Sequence, residues 1–286
     1  MGLTRAADLL LSNPGLFCRK SVARVLPRVP FFPRRAIRNI RGVRFECDFA
    51  LDPRVGDMFF AAYEPDEVAV LERFLRPGDV FVDVGAYIGY LTAVGASLVG
   101  PKGQVHSFEP VPAYFARLKA LCEANPAYAI QPNNLALGER DGTAEIAQSA
   151  DGNIGWNSMV PGMLAGEGNA RHAVPVRRLD EYLAERGVAR VALIKIDTEG
   201  FELPVLRGAT GFLDAAAKAG ALPPILCEVA PGAYPLLGSK VADLADFMTR
   251  YGYAALDVER GGRPVRMEAL EETTNVLFVP EARSAR

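Results

Sequence analysis

Asp79-Val80-Phe81-Val82-Asp83-Val84-Gly85-Ala86-Tyr87-Ile88-Gly89 is the stretch on which the fold turns. Val80 to Val84 is a run of β-branched and aromatic residues that reads as a buried strand, and Ala86 to Val99 is apolar enough for a helix packed on a sheet. Between them, Gly85 and Gly89 let the backbone turn and let a ligand approach where a Cβ would collide. The spacing is Asp-x-Gly-x-x-x-Gly, not the Gly-x-Gly-x-x-Gly of a pyrophosphate cradle. S-adenosylmethionine has no phosphate but carries a ribose and an amino acid end, so it suits this loop better than a dinucleotide does. Asp83, Gly85 and Gly89 are then its expected contacts.

One strand further on, Gly103-Gln104-Val105-His106-Ser107-Phe108-Glu109-Pro110 finishes on an acid 26 positions after Asp83. An acid at the tip of the second strand accepts both hydroxyls of a ribose, the geometry used for adenosine in doubly wound folds. Glu109 is therefore the expected ribose ligand. The alternative is that Asp83 and Glu109 only cap the turns that follow them.

Strand and helix keep alternating downstream, which implies a mainly parallel sheet covered on both faces. The pattern predicts a helix over Pro112–Asn125, a third strand over Tyr128–Leu137 and a short β segment over Thr143–Ala147. Val174-Pro175-Val176 precedes a short helix over Asp180–Arg186. A fourth strand from Val191 emerges into Lys195-Ile196-Asp197-Thr198-Glu199-Gly200, followed by a helix over Leu203–Leu213. A fifth strand over Pro224–Val229, a helix over Val241–Tyr251 and an antiparallel pair, Tyr253–Val258 and Thr274–Val279, close the sheet. There is no internal repeat and no low-complexity tract.

In an open α/β sheet the ligand lies outside the carboxyl ends of the strands, where strand order reverses. Asp83, Glu109, Asp197 and Glu228 fall at such ends and should converge. Lys195 lies two positions before Asp197 and so shares its side of the strand. A lysine inside an apolar strand is costly unless paired, and Glu228 or Glu199 is the expected partner. Asp197, Lys195 and Glu228 are the catalytic candidates: methyl transfer from a sulfonium is mostly positioning, and a carboxylate need only take the acceptor's proton. Asp197 and Glu228 are also placed to bind Mg²⁺ through oxygens. The competing reading is an ion-pair network of Asp197, Glu199 and Lys195 that caps the next helix. His106, within a strand, reads as a core residue, and His172 as a weaker base candidate in the loop before Val174. The Gly/Asn/Ser-rich loop from Ser149 to Asn169 contains Trp156, the only tryptophan. Trp156 and Asn157 form a candidate substrate lid, with Glu199 as a further substrate contact; the bland alternative is a surface insertion with Trp156 in the core.

The chain has 286 residues, 50% hydrophobic and 23% charged, enough for one large α/β domain with an appendage. Net charge is −2, but residues 1–45 carry ten Lys/Arg against one acid, leaving −11 for the rest. Such a basic arm suits a membrane surface, a nucleic acid or an acidic substrate; more often it wraps the acidic body of its own domain. Positions 1–62 read as a basic extension and 63–286 as the catalytic domain. No apolar run is long enough for a membrane span, and Asp8, Asn13 and Pro14 interrupt any signal-peptide core. Cys18, Cys47, Cys122 and Cys227 form no Cys-x-x-Cys pair and no metal-ligand spacing, as expected of a cytoplasmic protein.

Together these blocks resemble the FkbM-type S-adenosylmethionine-dependent methyltransferases. The match runs through Tyr63-Glu64-Pro65, Asp83 to Gly89, Phe108-Glu109-Pro110 and Asn134-Leu135-Ala136-Leu137-Gly138. It ends with Leu193 to Glu202 and Val205-Leu206-Arg207-Gly208, the Lys-Ile-Asp-x-Glu-Gly block being the specific part. The resemblance implies a Rossmann-like class I fold, a seven-stranded sheet of order 3-2-1-4-5-7-6 with helices on both faces. It also implies O-methylation of a hydroxyl on a sugar, glycan or polyketide-type metabolite, and adds Asn134 to the cofactor contacts. Tyr87 stands where the family usually has Asn. The expected partner is a small-molecule or saccharide acceptor, with no nucleic acid.

Two other readings compete. One is a catalytically silent S-adenosylmethionine-binding module whose basic arm recruits a partner; the other is an NAD-type oxidoreductase, which the glycine spacing disfavours.

Overall fold

In the computed structural model, residues 9–148, 157–163 and 170–281 are described. The first long element, α1 (Pro14–Val25), starts where Asn13 accepts the Leu16 amide at 3.0 Å and Pro14 pre-sets the first turn. An antiparallel hairpin, β1 (Arg35–Ile40) and β2 (Val43–Asp48), follows, then α2 (Arg54–Phe59) and α3 (Pro65–Phe74). Residues on both sides of position 62 share one core: Ile40, Val43, Phe45 and Met58 cluster with Leu91, Val94 and Leu118.

The alternating unit is built from β3 (Val80–Val84), α4 (Tyr90–Val99), β4 (Gln104–Phe108), α5 (Pro112–Glu123) and β5 (Ala129–Asn133). The chain then leaves the main sheet for β6 (Ala136–Leu137), β7 (Gly142–Gln148), β8 (Asn157–Ser158) and β9 (Ala170–Arg177), which form a four-stranded sheet of order β6-β9-β7-β8. It returns through α6 (Leu179–Glu185) to β10 (Leu193–Ile196), α7 (Glu202–Arg207), α8 (Thr210–Lys218) and β11 (Ile225–Val229). It closes with α9 (Val241–Arg250), β12 (Tyr253–Asp257), β13 (Arg263–Pro264) and β14 (Thr274–Pro280).

Edge to edge, the central sheet runs β13-β12-β14-β11-β10-β3-β4-β5. β11, β10, β3, β4 and β5 are mutually parallel, and β14 is antiparallel to both β11 and β12. Strand order reverses between β3 and β10, so a crevice opens at their carboxyl ends. Side chains alternate between two cores. Phe81, Val105 and Leu193 face α4, α5 and the hairpin, whereas Val82, Val84, Ile194 and Ile196 face α6 to α9.

Several boundaries differ from the sequence expectation, each for a visible reason. The expected third strand over Tyr128–Leu137 is two strands in two sheets, because the chain turns at Asn134, whose amide donates to Glu109 O and Pro110 O. The helix expected from Ala86 begins at Tyr90, since Tyr87 (φ 52°) and Gly89 (φ 88°) are left-handed. The helix expected over Leu203–Leu213 breaks near Gly208, which lies so close to Gly138 O that a Cβ would come within 2.0 Å. His172 lies on β9 opposite Ile146 rather than in a loop. The eighth strand, β13, is a two-residue addition at the edge. Among the described residues, no helix is long and apolar enough to cross a membrane.

Candidate active site

At the reversal point the loops after β3, β4, β10 and β11 line a cavity open to solvent. Gly85, Glu109, Asp197, Glu199 and Glu228 line it, and Arg54, Tyr63 and Glu64 close it from the N-terminal side. Three of its non-glycine residues, Glu64 (φ 43°), Tyr87 (φ 52°) and Glu199 (φ 50°), hold left-handed backbone, a strained conformation that the surrounding packing must impose.

Glu109 sits just past the end of β4, buried and held at both oxygens: Oε2 accepts the Tyr87 amide and Oε1 the Val111 amide, each at 2.8 Å. Burial pushes its carboxyl up to about 8, against the pull of those two amides. When ionised, each oxygen keeps a second lone pair for a ligand donor.

Gly85 makes the closest backbone approach in the site. A Cβ there would come within 1.7 Å of Asp197 O, so the loops leaving β3 and β10 approach this closely only because residue 85 has no side chain. A Cβ on Gly89 would instead strike Leu118 and Leu121 of α5. The two glycines thus serve the approach of protein to protein.

Opposite Glu109 lies an acid cluster. Asp197, Glu199 and Glu228 each offer a carboxylate oxygen within 4.8 Å of the others, a spacing compatible with oxygen ligation of a divalent cation. Glu228 is pushed up to about 11 by the neighbouring Asp197 carboxylate and by burial, with Glu199 adding to the effect. Its Oε2 is buried with no hydrogen-bond partner. Lys195 donates to Asp197 Oδ2 at 2.8 Å and lies 3.8 Å from Glu67. Burial pulls its pKa down, but Asp197, Glu67 and Glu64 hold it well above the ordinary value.

The model of the methyltransferase FkbM domain matches residues 83–255, more than half of the chain. The chain belongs to the FkbM methyltransferase family. It is 33% identical over 159 residues to 31-O-demethyl-FK506 methyltransferase FkbM of Streptomyces tacrolimicus, covering 47% of this chain and 60% of that protein. To the AMB antimetabolite synthetase AmbE of Pseudomonas aeruginosa it is 28% identical over 247 residues, covering 73% of this chain and 11% of that protein. It spans less than two thirds of the length of either relative. Among solved structures, an FkbM methyltransferase from Methylobacillus flagellatus is similar at a TM-score of 0.44 and 16% identity, over 96% of this chain and 60% of that one.

In this FkbM-family chain only part of the expected site reaches the cavity. Glu109, Gly85, Asp197, Glu199 and Glu228 line it; Asp83, Gly89, Asn134 and Lys195 do not. Asp83 and Lys195 are register neighbours on the α4 side of the sheet. Asp83 accepts from Thr92 Oγ1 at 2.6 Å, with Ser107 Oγ 3.0 Å beyond, and its pKa is raised by burial. It braces β3 against α4, and the strand alternation that puts Phe81 on that face puts Asp83 there too. Lys195 pairs with Asp197 and Glu67, not with the expected Glu228 or Glu199. Trp156 lies outside the described residues, and Asn157 is placed only as part of β8. His106 is the core residue expected, between Tyr182 Oη at 3.0 Å and Gln104 Oε1 at 3.2 Å, its pKa lowered to about 4 by burial.

The sequence reading missed the wall that residues 52–67 supply. Asp52 Oδ2 accepts from Tyr87 Oη at 2.8 Å and from Arg54 Nε and Nη2 at 2.9 and 2.6 Å, and the Arg54 guanidinium stacks over the Tyr87 ring at 5.0 Å. Tyr87 is thereby fixed between Arg54 and Tyr114. Of this wall, only the block Tyr63-Glu64-Pro65 carried a signal, as part of the resemblance.

Proposed function

We propose that this chain transfers a methyl group from S-adenosylmethionine to a hydroxyl of a saccharide or polyketide-type metabolite. The observation that carries the reading is Glu109: a carboxylate at the tip of the second strand, aimed by two backbone amides and lining the cavity at the strand-order reversal. The ribose hydroxyls donate to its oxygens. The excess of carboxylates suits a cationic sulfonium, since opposite charges a few ångströms apart attract strongly in a poorly solvated site. Arg54, the cation among the described residues that line this cavity, takes the carboxylate of the methionyl end.

Orientation supplies most of the rate, and the acceptor hydroxyl gives its proton to Asp197. Lys195 keeps that carboxylate in place, and Glu228 carries the proton of the acidic pair. The relative named 31-O-demethyl-FK506 methyltransferase supports oxygen as the atom methylated. Asp197, Glu199 and Glu228 would hold a divalent ion if one takes part, the orphaned Glu228 Oε2 being a suitable ligand atom, and Mg²⁺ there would polarise the acceptor oxygen. Manganese binding read by electron paramagnetic resonance tests that point without recourse to activity.

The experiment for the whole reading is calorimetry with S-adenosylhomocysteine, followed by transfer of a radiolabelled methyl to a panel of hydroxyl acceptors. Binding with turnover is expected. Binding without turnover on any acceptor favours the silent module, and absence of binding removes the cofactor assignment.

A further inference from the structure

The N-terminal helix has two apolar faces, and only one of them is used by the fold. Its inner face buries Leu16 and Ala23, and Ala23 O lies so near α2 that a Cβ on Gly56 would come within 2.5 Å. On that side Lys20 faces Asp57 and Asp66. Cys18, Val22 and Val25 recur at the spacing of a single helix face and point outward, Val25 at 64% exposure, and Leu11, in the short helical turn before Asn13, is 84% exposed. The strip continues past the helix through Leu26 and Val29 to Phe31, which is wholly exposed. Phe31 is also left-handed (φ 75°), a conformation that costs a bulky side chain, while the adjacent Phe32 packs edge-on against Phe49 at 4.9 Å.

The segment that carries this strip has charge of one sign. From residue 9 to residue 45 there are nine Lys/Arg and no carboxylate. Arg19 and Arg28 are exposed on α1 and the turn after it and form no ion pair among the described residues, whereas Arg24 joins Lys20 in facing Asp57. A second copy of this surface would set like charges against each other, and a nucleic acid has no use for Leu11, Val25 and Phe31. An apolar strip on a segment whose own charged residues from position 9 to 45 are all cations matches the interface of an anionic bilayer, whose headgroups meet the arginines while the acyl boundary takes the side chains.

We propose that the outer face of α1, with the turn carrying Phe31, docks the enzyme on an anionic lipid surface. The helix lies in the plane of the membrane and does not cross it. Because its inner face is locked to α2 through Ala23 and Gly56, docking carries the whole catalytic body with it.

Cys18 provides the probe, since it is the exposed thiol on this face while Cys47 and Cys227 are buried. In a Cys122→Ser background, an environment-sensitive fluorophore on Cys18 should shift to the blue when vesicles of phosphatidylcholine with phosphatidylglycerol are added. Pure phosphatidylcholine vesicles and high salt should each suppress that shift. In co-flotation, replacing Arg19 and Arg28 by Ser should weaken vesicle affinity about five-fold for each cation lost. Phe31→Ser and Val25→Ser should weaken it as well, with thermal unfolding unchanged; if Val25→Ser fails to fold, Phe31→Ser alone carries the test. Three results would each overturn the proposal: no flotation, equal binding to neutral and anionic vesicles, or a dimer in light scattering that Phe31→Ser dissolves. None depends on methyl transfer, so the docking proposal stands or falls separately from the enzymatic one.

Discussion

The Tyr87 hydroxyl donates a 2.8 Å hydrogen bond to Asp52 Oδ2, the same oxygen that takes Nε and Nη2 of Arg54. This contact ties the glycine loop to the N-terminal segment and sets one wall of the cavity. Tyr87→Phe removes one donor and leaves Arg54 on Asp52, so urea denaturation should show a loss of about 1–2 kcal/mol. Asp52→Ala strips Arg54 as well and should cost more. Equal losses in the two variants would show that the Arg54 pair adds nothing to stability.

Gly85 and Gly100 are both left-handed, but only Gly85 is crowded, by Asp197 O; around Gly100 there is open space. Gly100→Ala should cost only the backbone term of its conformation (φ 67°, ψ −175°), about 1–3 kcal/mol. Gly85→Ala must also push the loops after β3 and β10 apart, and should abolish cooperative thermal unfolding or lower the midpoint far more. Similar midpoints for the two variants would mean that the close approach of residues 85 and 197 is not required.

Three carboxyls hold their protons more tightly when folded than when unfolded: the buried Glu202 at about 7 and Glu109 at about 8, both through burial, and the half-buried Glu228 at about 11, through Asp197 and burial. Between the unfolded value, roughly 4.3, and each folded value, the native state carries the extra proton, so stability falls as pH rises through that window. The ligand-free protein should therefore be less stable at pH 8 than at pH 6. Glu228→Gln should flatten the decline by about 1.4 kcal/mol per pH unit. A decline as steep as the parent's in that variant would remove Glu228 from the explanation.

Arg54→Ala separates the two ends of the cofactor. Affinity for S-adenosylhomocysteine should drop by roughly ten- to a hundred-fold, as for loss of a hydrogen bond to a charged group, while methylthioadenosine, which lacks the amino acid end, should bind as before. Parallel losses for both ligands would show that Arg54 shapes the cavity instead of gripping the methionyl carboxylate.

The strand from Val80 to Val84 and the glycine loop were readable because residue period and turn chemistry are local properties. Glu109 was readable for the same reason, as an acid directly after a strand. Asp83 was misplaced toward the cavity, although the alternation that buries Phe81 on the α4 face also assigns Asp83 to it. The partner of Lys195 could not be read, because Glu67 reaches it from α3, more than a hundred residues earlier in the chain. Asp52 and Arg54 likewise meet Tyr87 only through tertiary packing, and no short-range pattern marks them. The break between β5 and β6 had a faint cue in Asn133-Asn134, but the second sheet it opens depends on pairing with β9, some forty residues later.

The most direct measurement is a crystal structure with S-adenosylhomocysteine. The ribose hydroxyls should lie within hydrogen-bond distance of Glu109 Oε1 and Oε2, with the thioether sulfur turned toward Asp197 and Glu228. A nucleoside bound away from Glu109 would contradict the assignment, as would a sulfur directed away from the acid cluster.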